Sequence, residues 1–192
     1  MSIEDTIKKL ETGLPENTSS EVTNKVALEV FEDERKYQES VWGDESQNPI
    51  SSWLIFIKEY LNEASAHITR NEPFLASMLA GNCLRKVGSL SLACIEQYDQ
   101  VDNLINWAKE EKKINSERVI KQNSNTPTIT LCTGLINTAI EKYSTTLSED
   151  FDSYDTVFFS VFYSIFLLSK NLESIISRIQ FDLESEEQRL PF

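Results

Sequence analysis

Apolar residues return at three- and four-residue steps through most of this chain, a period that fits amphipathic α-helix and little else. Val22, Val26, Val30, Tyr37 and Val41 mark a first helix that closes before Gly43, with one longer gap in the pattern. A loop over Gly43 to Ser52 carries Asp44, Asn48 and Pro49. Ser51 or Ser52 then caps a second helix whose apolar face uses Leu54, Ile57, Leu61, Ala64 and Ile68 and which runs to about Arg70. Pro73 suits the first turn of a third helix, where its missing N–H costs nothing. Phe74, Met78, Leu84, Val87, Leu90, Ser91 and Cys94 continue it to about Gln97. Ala80, Gly81, Gly88, Ser89 and Ala93 put small residues along its centre, where another helix can approach closely.

Val101 to Ile120 reads as helical but very polar, and its Lys109-Glu110-Glu111-Lys112-Lys113 run suits a solvated face. Gln122 to Thr128 breaks it. Two more helices follow, over Ile129 to Tyr143 and from about Asp152 to Glu186. The last carries a broad apolar face of Phe158, Phe162, Ile165, Phe166, Leu172, Ile175, Ile176 and Ile179. No strand period competes, so the expected fold is an all-α helical bundle. Its organisation reads as a flexible leader over 1–20, with at most a helical turn around Ile3 to Leu10, a helical core over 21–122, and a C-terminal helical pair over 128–192 packed on that core.

Composition narrows the function classes. The 192 residues carry a net charge of −13, which argues against a nucleic-acid partner. The apolar run Val157 to Leu168 falls short of the ~20 residues that span a bilayer, and no secretory signal is apparent at the start, so no membrane partner is expected and the location reads as cytoplasmic. Cys83, Cys94 and Cys132 lack metal-ligand spacing and read as buried, reduced thiols. His67 stands without a Cys or second His partner in the pattern, which gives little support to a zinc site or a Ser-His-Asp triad. Gly81 and Gly88 match neither nucleotide-binding glycine signature. What remains is carboxylate chemistry: Glu59 and Glu63, at i and i+4, point to one helix face and could share a Mg²⁺ ion, although such pairs are also common on solvated faces.

Glu34-Arg35-Lys36-Tyr37-Gln38, then Trp42-Gly43, Ser52-Trp53 and the Glu59-Tyr60-Leu61-Asn62-Glu63 helix together resemble the MazG-like proteins common in phages. The resemblance spans about residues 29–97, where Leu84 to Gln97 is similar to the Ala-rich helix that closes the domain in those proteins. It implies the all-α nucleoside triphosphate pyrophosphohydrolase superfamily, whose members pair helices into dimers or tetramers and use magnesium to hydrolyse NTP to NMP and pyrophosphate. The family motif is Glu-Glu-x-x-Glu followed by Glu-x-x-Asp. Glu59 and Glu63 match its first and last glutamates, but Tyr60 stands at the second, and Cys83 and Lys86 stand at the later Glu and Asp. An ammonium at Lys86 would repel a cation there, and phage-type relatives often share this Arg-Lys pattern, which would define a branch with altered chemistry.

The expectation is thus a MazG-like protein that binds a nucleotide or nucleotide-derived ligand, with pyrophosphohydrolase activity impaired by the missing carboxylates. Glu59 and Glu63 would hold Mg²⁺ and orient water as the catalytic pair, while Lys86 and Arg35 would bind phosphate. Structural roles compete with these. Trp42 and Trp53 could simply close the core, Arg35 could pair with Glu32 or Glu39, and Lys86 could neutralise Glu59 or Glu63. Glu29, Glu32 and Asp33 could supply replacement ligands or form a solvated acidic face. The alternative function is a non-catalytic helical protein that sequesters a nucleotide-derived small molecule or binds a host protein. A homodimer is the default assembly, unless the helices after Thr128 cover the same face.

Overall fold

The computed structural model describes residues 3–13, 21–43, 48–70, 73–106, 109, 125–145, 157, 158, 160, 161 and 164. Within them every regular element is an α-helix. The elements are α1 (Ile3–Gly13), α2 (Glu21–Trp42), α3 (Ile50–Arg70), α4 (Pro73–Gln97), α5 (101–106) and α6 (Asn125–Thr145), and the described positions from 157 to 164 are helical as well. No helix among the described residues is long and apolar enough to cross a membrane.

α4 is the central helix, packed by α3 along one row of side chains and by α2 along another. Arg85, Gly88 and Ser89 meet α2, whereas Cys83, Lys86 and Gln97 meet α3. The two rows lie about 100° apart, the turn made by one residue, so α4 is covered on two sides. At Gly88 the Phe31 ring of α2 comes so near the α4 backbone that an added Cβ would overlap it. The close approach anticipated for the small residues of α4 is therefore made at Gly88 by a helix of the same chain.

The apolar face assigned to α2 needs correction. Tyr37 and Val41 are 60% and 53% exposed, and the buried stripe instead runs Leu28, Phe31, Glu34 with Arg35, and Gln38. Three of those five residues are polar, so hydrophobicity alone does not select this face, although Val30 of the expected face packs against the core. The face assigned to α3 is the buried one: Leu54, Ile57, Leu61 and Ala64 join the core together with Trp53, and Ile68 packs against it. α3 starts at Ile50, and the Pro49 carbonyl accepts from the N–H groups of Ser52 and Trp53 at 2.9 and 3.4 Å, so Ser51 and Ser52 lie inside the helix instead of capping it.

Helix ends follow left-handed caps. Gly43, at φ 80°, donates its N–H to Glu39 O at 2.9 Å and closes α2. Asp99, at φ 54°, closes α4, with Gln100 N donating to Ile95 O at 2.9 Å and Asp99 N donating to Glu96 O at 3.1 Å. This is the paired bonding of a Schellman motif.

Residues 3–13 are ordered further than the helical turn expected there. Ile7 and Leu10 of α1 enter the core, Gly13 lies against the Ile105 side chain, and Lys9 pairs with Asp102 at 2.7 Å. At the other end of the chain, α6 packs on α3 and buries Ile129, Cys132, Ile136 and Ala139. Val157, Phe158 and Val161 are also buried, and the Phe158 ring lies 5.5 Å from that of Tyr98. Phe162, Ile165, Phe166, Leu172, Ile175, Ile176 and Ile179, the charge run beyond Lys109, and the side chains of Val22, Val26, Trp42 and Phe74 lie outside the described residues.

Two outcomes are expected. Gly88→Ala should lower stability: overpacking a filled contact costs about 1–3 kcal/mol, against a helix-propensity gain of about 1 kcal/mol. Adding Phe31→Leu should recover part of the loss, so denaturant melts of the two single variants and the double variant would show a coupling of about 0.5 kcal/mol or more. Deletion from Thr128 onward would strip seven described buried residues from the core. The 1–127 fragment should therefore lose its cooperative melt, since large-to-small loss at even one such position, as in Phe158→Ala, costs about 3–5 kcal/mol.

Candidate functional site

The motif residues of α2 lie inside the α2–α4 seam. Glu34 is 3% exposed and its Oε2 takes a salt bridge from Arg85 Nη2 at 2.9 Å. Gln38 Nε2 donates to Glu34 Oε1 at 3.2 Å, and Ser89 Oγ donates to Gln38 Oε1 at 3.1 Å. Each buried polar group thus leans on another, which offsets the desolvation that leaving it alone would cost.

Arg35 is 6% exposed and pairs with Glu39 at 3.2 Å, one of the two partners weighed for it. Its charge also acts on Glu96, whose carboxyl pKa burial raises while the Thr6 hydroxyl and Arg35 oppose the rise. Glu96 is ten residues beyond Lys86 on α4, about 15 Å along the axis. The structure therefore does not bring Arg35 to Lys86: Arg35 is buried, its Nη2 is paired with Glu39, and its Nε and Nη1 have no hydrogen-bond partner among the described residues.

The other candidates lie on the exposed edge of the α3–α4 seam. Glu59 and Glu63 are both exposed. Lys86 lies over the Tyr60 ring, 4.8 Å from its centroid, a cation–π contact. Among the described residues Lys86 makes no ion pair with Glu59 or Glu63, so the neutralising role weighed for it is not observed. Glu63 Oε1 instead sits 3.5 Å from His67 Nε2, one turn along α3.

Cys83 of α4 completes this group: one ligand atom each from Glu63, His67 and Cys83 lie within 4.8 Å of one another. Sequence reasoning found no Cys partner for His67, because Cys83 arrives from the next helix and becomes legible only once the α3–α4 register is known. The Glu63–His67 spacing of four residues was the one signal present in the sequence. Glu59 does not belong to the group. Of the replacement ligands weighed on α2, Glu29 and Asp33 are exposed and Glu32 bonds Lys36, as a solvated face would be.

Trp53 is fully buried and its indole N–H donates to Gln97 Oε1 at 2.8 Å, while Gln97 Nε2 donates to Asn48 O at 2.6 Å. These bonds tie the loop before α3 to the end of α4, which is the core-closing role. Comparison with protein families, characterised proteins and solved structures returned no match for this chain.

All three cysteines are free and buried. Burial pushes the Cys94 and Cys132 thiols up to about 12, and burial followed by the Glu63 carboxylate pushes Cys83 up to about 11, with Lys86 opposing. A thiol raised in this way holds its proton more tightly folded than unfolded. Its contribution to stability is complete below the ordinary value of 9.0 and is lost as pH climbs through about 11 or 12. The denaturant midpoint should therefore fall between about pH 8 and pH 10.5, and fall less in Cys94→Ala. An equal fall in that variant would show that the thiols are not its cause.

Proposed function

We propose that this chain binds a nucleotide or a nucleotide-derived phosphate compound along the exposed edge of the α3–α4 seam, as a MazG-like protein with a reduced carboxylate set. The observation that supports this is the meeting of Glu63 and Lys86 around Cys83, with the Lys86 ammonium resting on an aromatic ring and, among the described residues, in no ion pair with a carboxylate. Lys86 supplies a point charge for a phosphate oxygen. The Tyr60 ring face holds that ammonium in place on the seam. Magnesium takes one or two carboxylates from a protein when phosphates and water fill its other positions, and Glu59 and Glu63 are the residues that would hold it. The bound ion would draw phosphate charge toward the α3 carboxylates.

Turnover of NTP to NMP and pyrophosphate belongs to the same proposal as a slow activity, because Cys83 and Lys86 stand where further carboxylates would be needed. The mixed surroundings of Glu63 favour a second reading, stoichiometric sequestration without turnover. In that reading Tyr37 and Val41, exposed one turn apart on α2, form the apolar strip for a host protein or a second copy of the chain. Either reading places the protein in the cytoplasm of a bacterium or an infected host cell, where nucleotides are plentiful.

A panel of canonical and modified nucleotides with Mg²⁺ tests this by calorimetric binding and chromatography of products. Binding should weaken about 10–100-fold in Lys86→Ala, the loss of one charge-assisted contact, while the melting temperature holds. Arg35→Lys should change stability and leave affinity alone. Ligand recovered unchanged after denaturation selects sequestration, and Mg²⁺-dependent product selects hydrolysis. Absence of both binding and turnover across the panel overturns the proposal. Light scattering decides the assembly, a mass near 22.0 kDa removing the homodimer.

A further inference from the structure

We propose that Glu63, His67 and Cys83 form a binding site for a thiophilic divalent cation of the zinc class, across the exposed end of the α3–α4 seam. The three side chains offer an oxygen, a nitrogen and a sulfur from two packed helices, with ligand atoms mutually within 4.8 Å. A tetrahedral zinc site holds its ligand atoms about 3.3–3.7 Å apart, given bonds of about 2.0–2.3 Å. Glu63 Oε1 and His67 Nε2, at 3.5 Å, already have that spacing. The remaining closure is about an ångström and falls to side-chain rotation.

The donor chemistry selects the ion. Sulfur and imidazole nitrogen favour zinc-class ions, whereas magnesium and calcium require oxygen. A Cys83 thiolate and a Glu63 carboxylate neutralise a dication, and His67 adds a neutral donor. Burial and the Glu63 carboxylate hold the Cys83 proton in the metal-free chain, and Lys86, held against Tyr60, opposes them, so it is the incoming dication that must displace that proton. Three protein ligands leave a fourth position for water, the arrangement of an open site and not of a closed structural one. Binding forms a sulfur–metal bond as the Cys83 S–H bond breaks, and its proton passes to solvent without any change of oxidation state. One proton is therefore released per ion. Cys94 and Cys132, buried elsewhere in the core, are internal controls.

The full chain, reduced and free of nucleotide, would be titrated with Co²⁺ and then with Zn²⁺. The expected result is one Co²⁺ per chain, with the near-ultraviolet thiolate-to-cobalt band, intense tetrahedral visible bands, and loss of both on adding Zn²⁺ but not excess Mg²⁺. Cys83→Ser should abolish the ultraviolet band, while Cys94→Ala retains it. Should Cys83→Ser melt early, Glu63→Gln and His67→Gln carry the test at helix positions open to solvent, each weakening Co²⁺ at least about tenfold. Absence of the thiolate band in the unsubstituted chain overturns the proposal, as does its survival in Cys83→Ser or unchanged affinity in both α3 variants. Because nucleotide is absent, failure here leaves the phosphate-binding proposal standing. Success adds a competition: Zn²⁺ on Glu63 should reduce any Mg²⁺-dependent binding.

Discussion

The contact between Gly88 and Phe31 sets the spacing of the fold. With no side chain on Gly88, the Phe31 ring reaches the α4 backbone, and both residues are buried. That near approach brings Glu34 within salt-bridge range of Arg85 and Gln38 within hydrogen-bond range of Ser89, about one and two turns beyond Phe31 on α2 and within a turn of Gly88 on α4. A larger residue at 88 would push α2 outward and lengthen those polar contacts together. The apolar contact and the polar seam are thus one geometric unit.

The polar seam explains why so acidic a chain keeps charges inside. A buried ion pair contributes little net stability, since desolvation cancels most of the attraction, but a lone buried charge is costly. Glu34 meets Arg85 and Gln38, so a slide of α2 by one turn would strand a carboxylate. On this argument the seam fixes register more than it adds stability, while the apolar residues of α3 and α4 supply the driving force. Arg85 keeps its outer part exposed, which reduces the desolvation on its side of the pair.

Legibility in the sequence followed from how uniform each helix face is. α3 and α4 bury stripes that are apolar or small almost throughout, so period alone located them, and Pro73 and Gln97 bound α4 as expected. α2 buries Phe31 beside Glu34, Arg35 and Gln38, and no hydrophobicity pattern can assign that face, since the reason for burial lies in Arg85 and Ser89 of another helix. α1 was undervalued because its two core anchors, Ile7 and Leu10, are few, and its packing is decided by α2 and Ile105. The candidate site divides in the same way. Glu59, Glu63 and Lys86 could be picked out by residue type, but the association of Glu63 and His67 with Cys83 is a tertiary fact.

That association also bears on how a carboxylate-poor site can still have chemistry. Where an oxygen-only cation site needs several acidic residues converging, the α3–α4 seam presents two acidic positions, of which Glu63 has nitrogen and sulfur neighbours and Glu59 has none among the described residues. A thiol among the donors of a cation site changes the preferred ion toward the zinc class, because once ionised it carries the same formal charge as a carboxylate and is the softer ligand. Lys86, held over Tyr60, adds a cation beside these donors, and its charge is felt at Cys83. The α3–α4 seam therefore sets a mixed-donor group and an ammonium side by side, the ammonium acting on the thiol of that group.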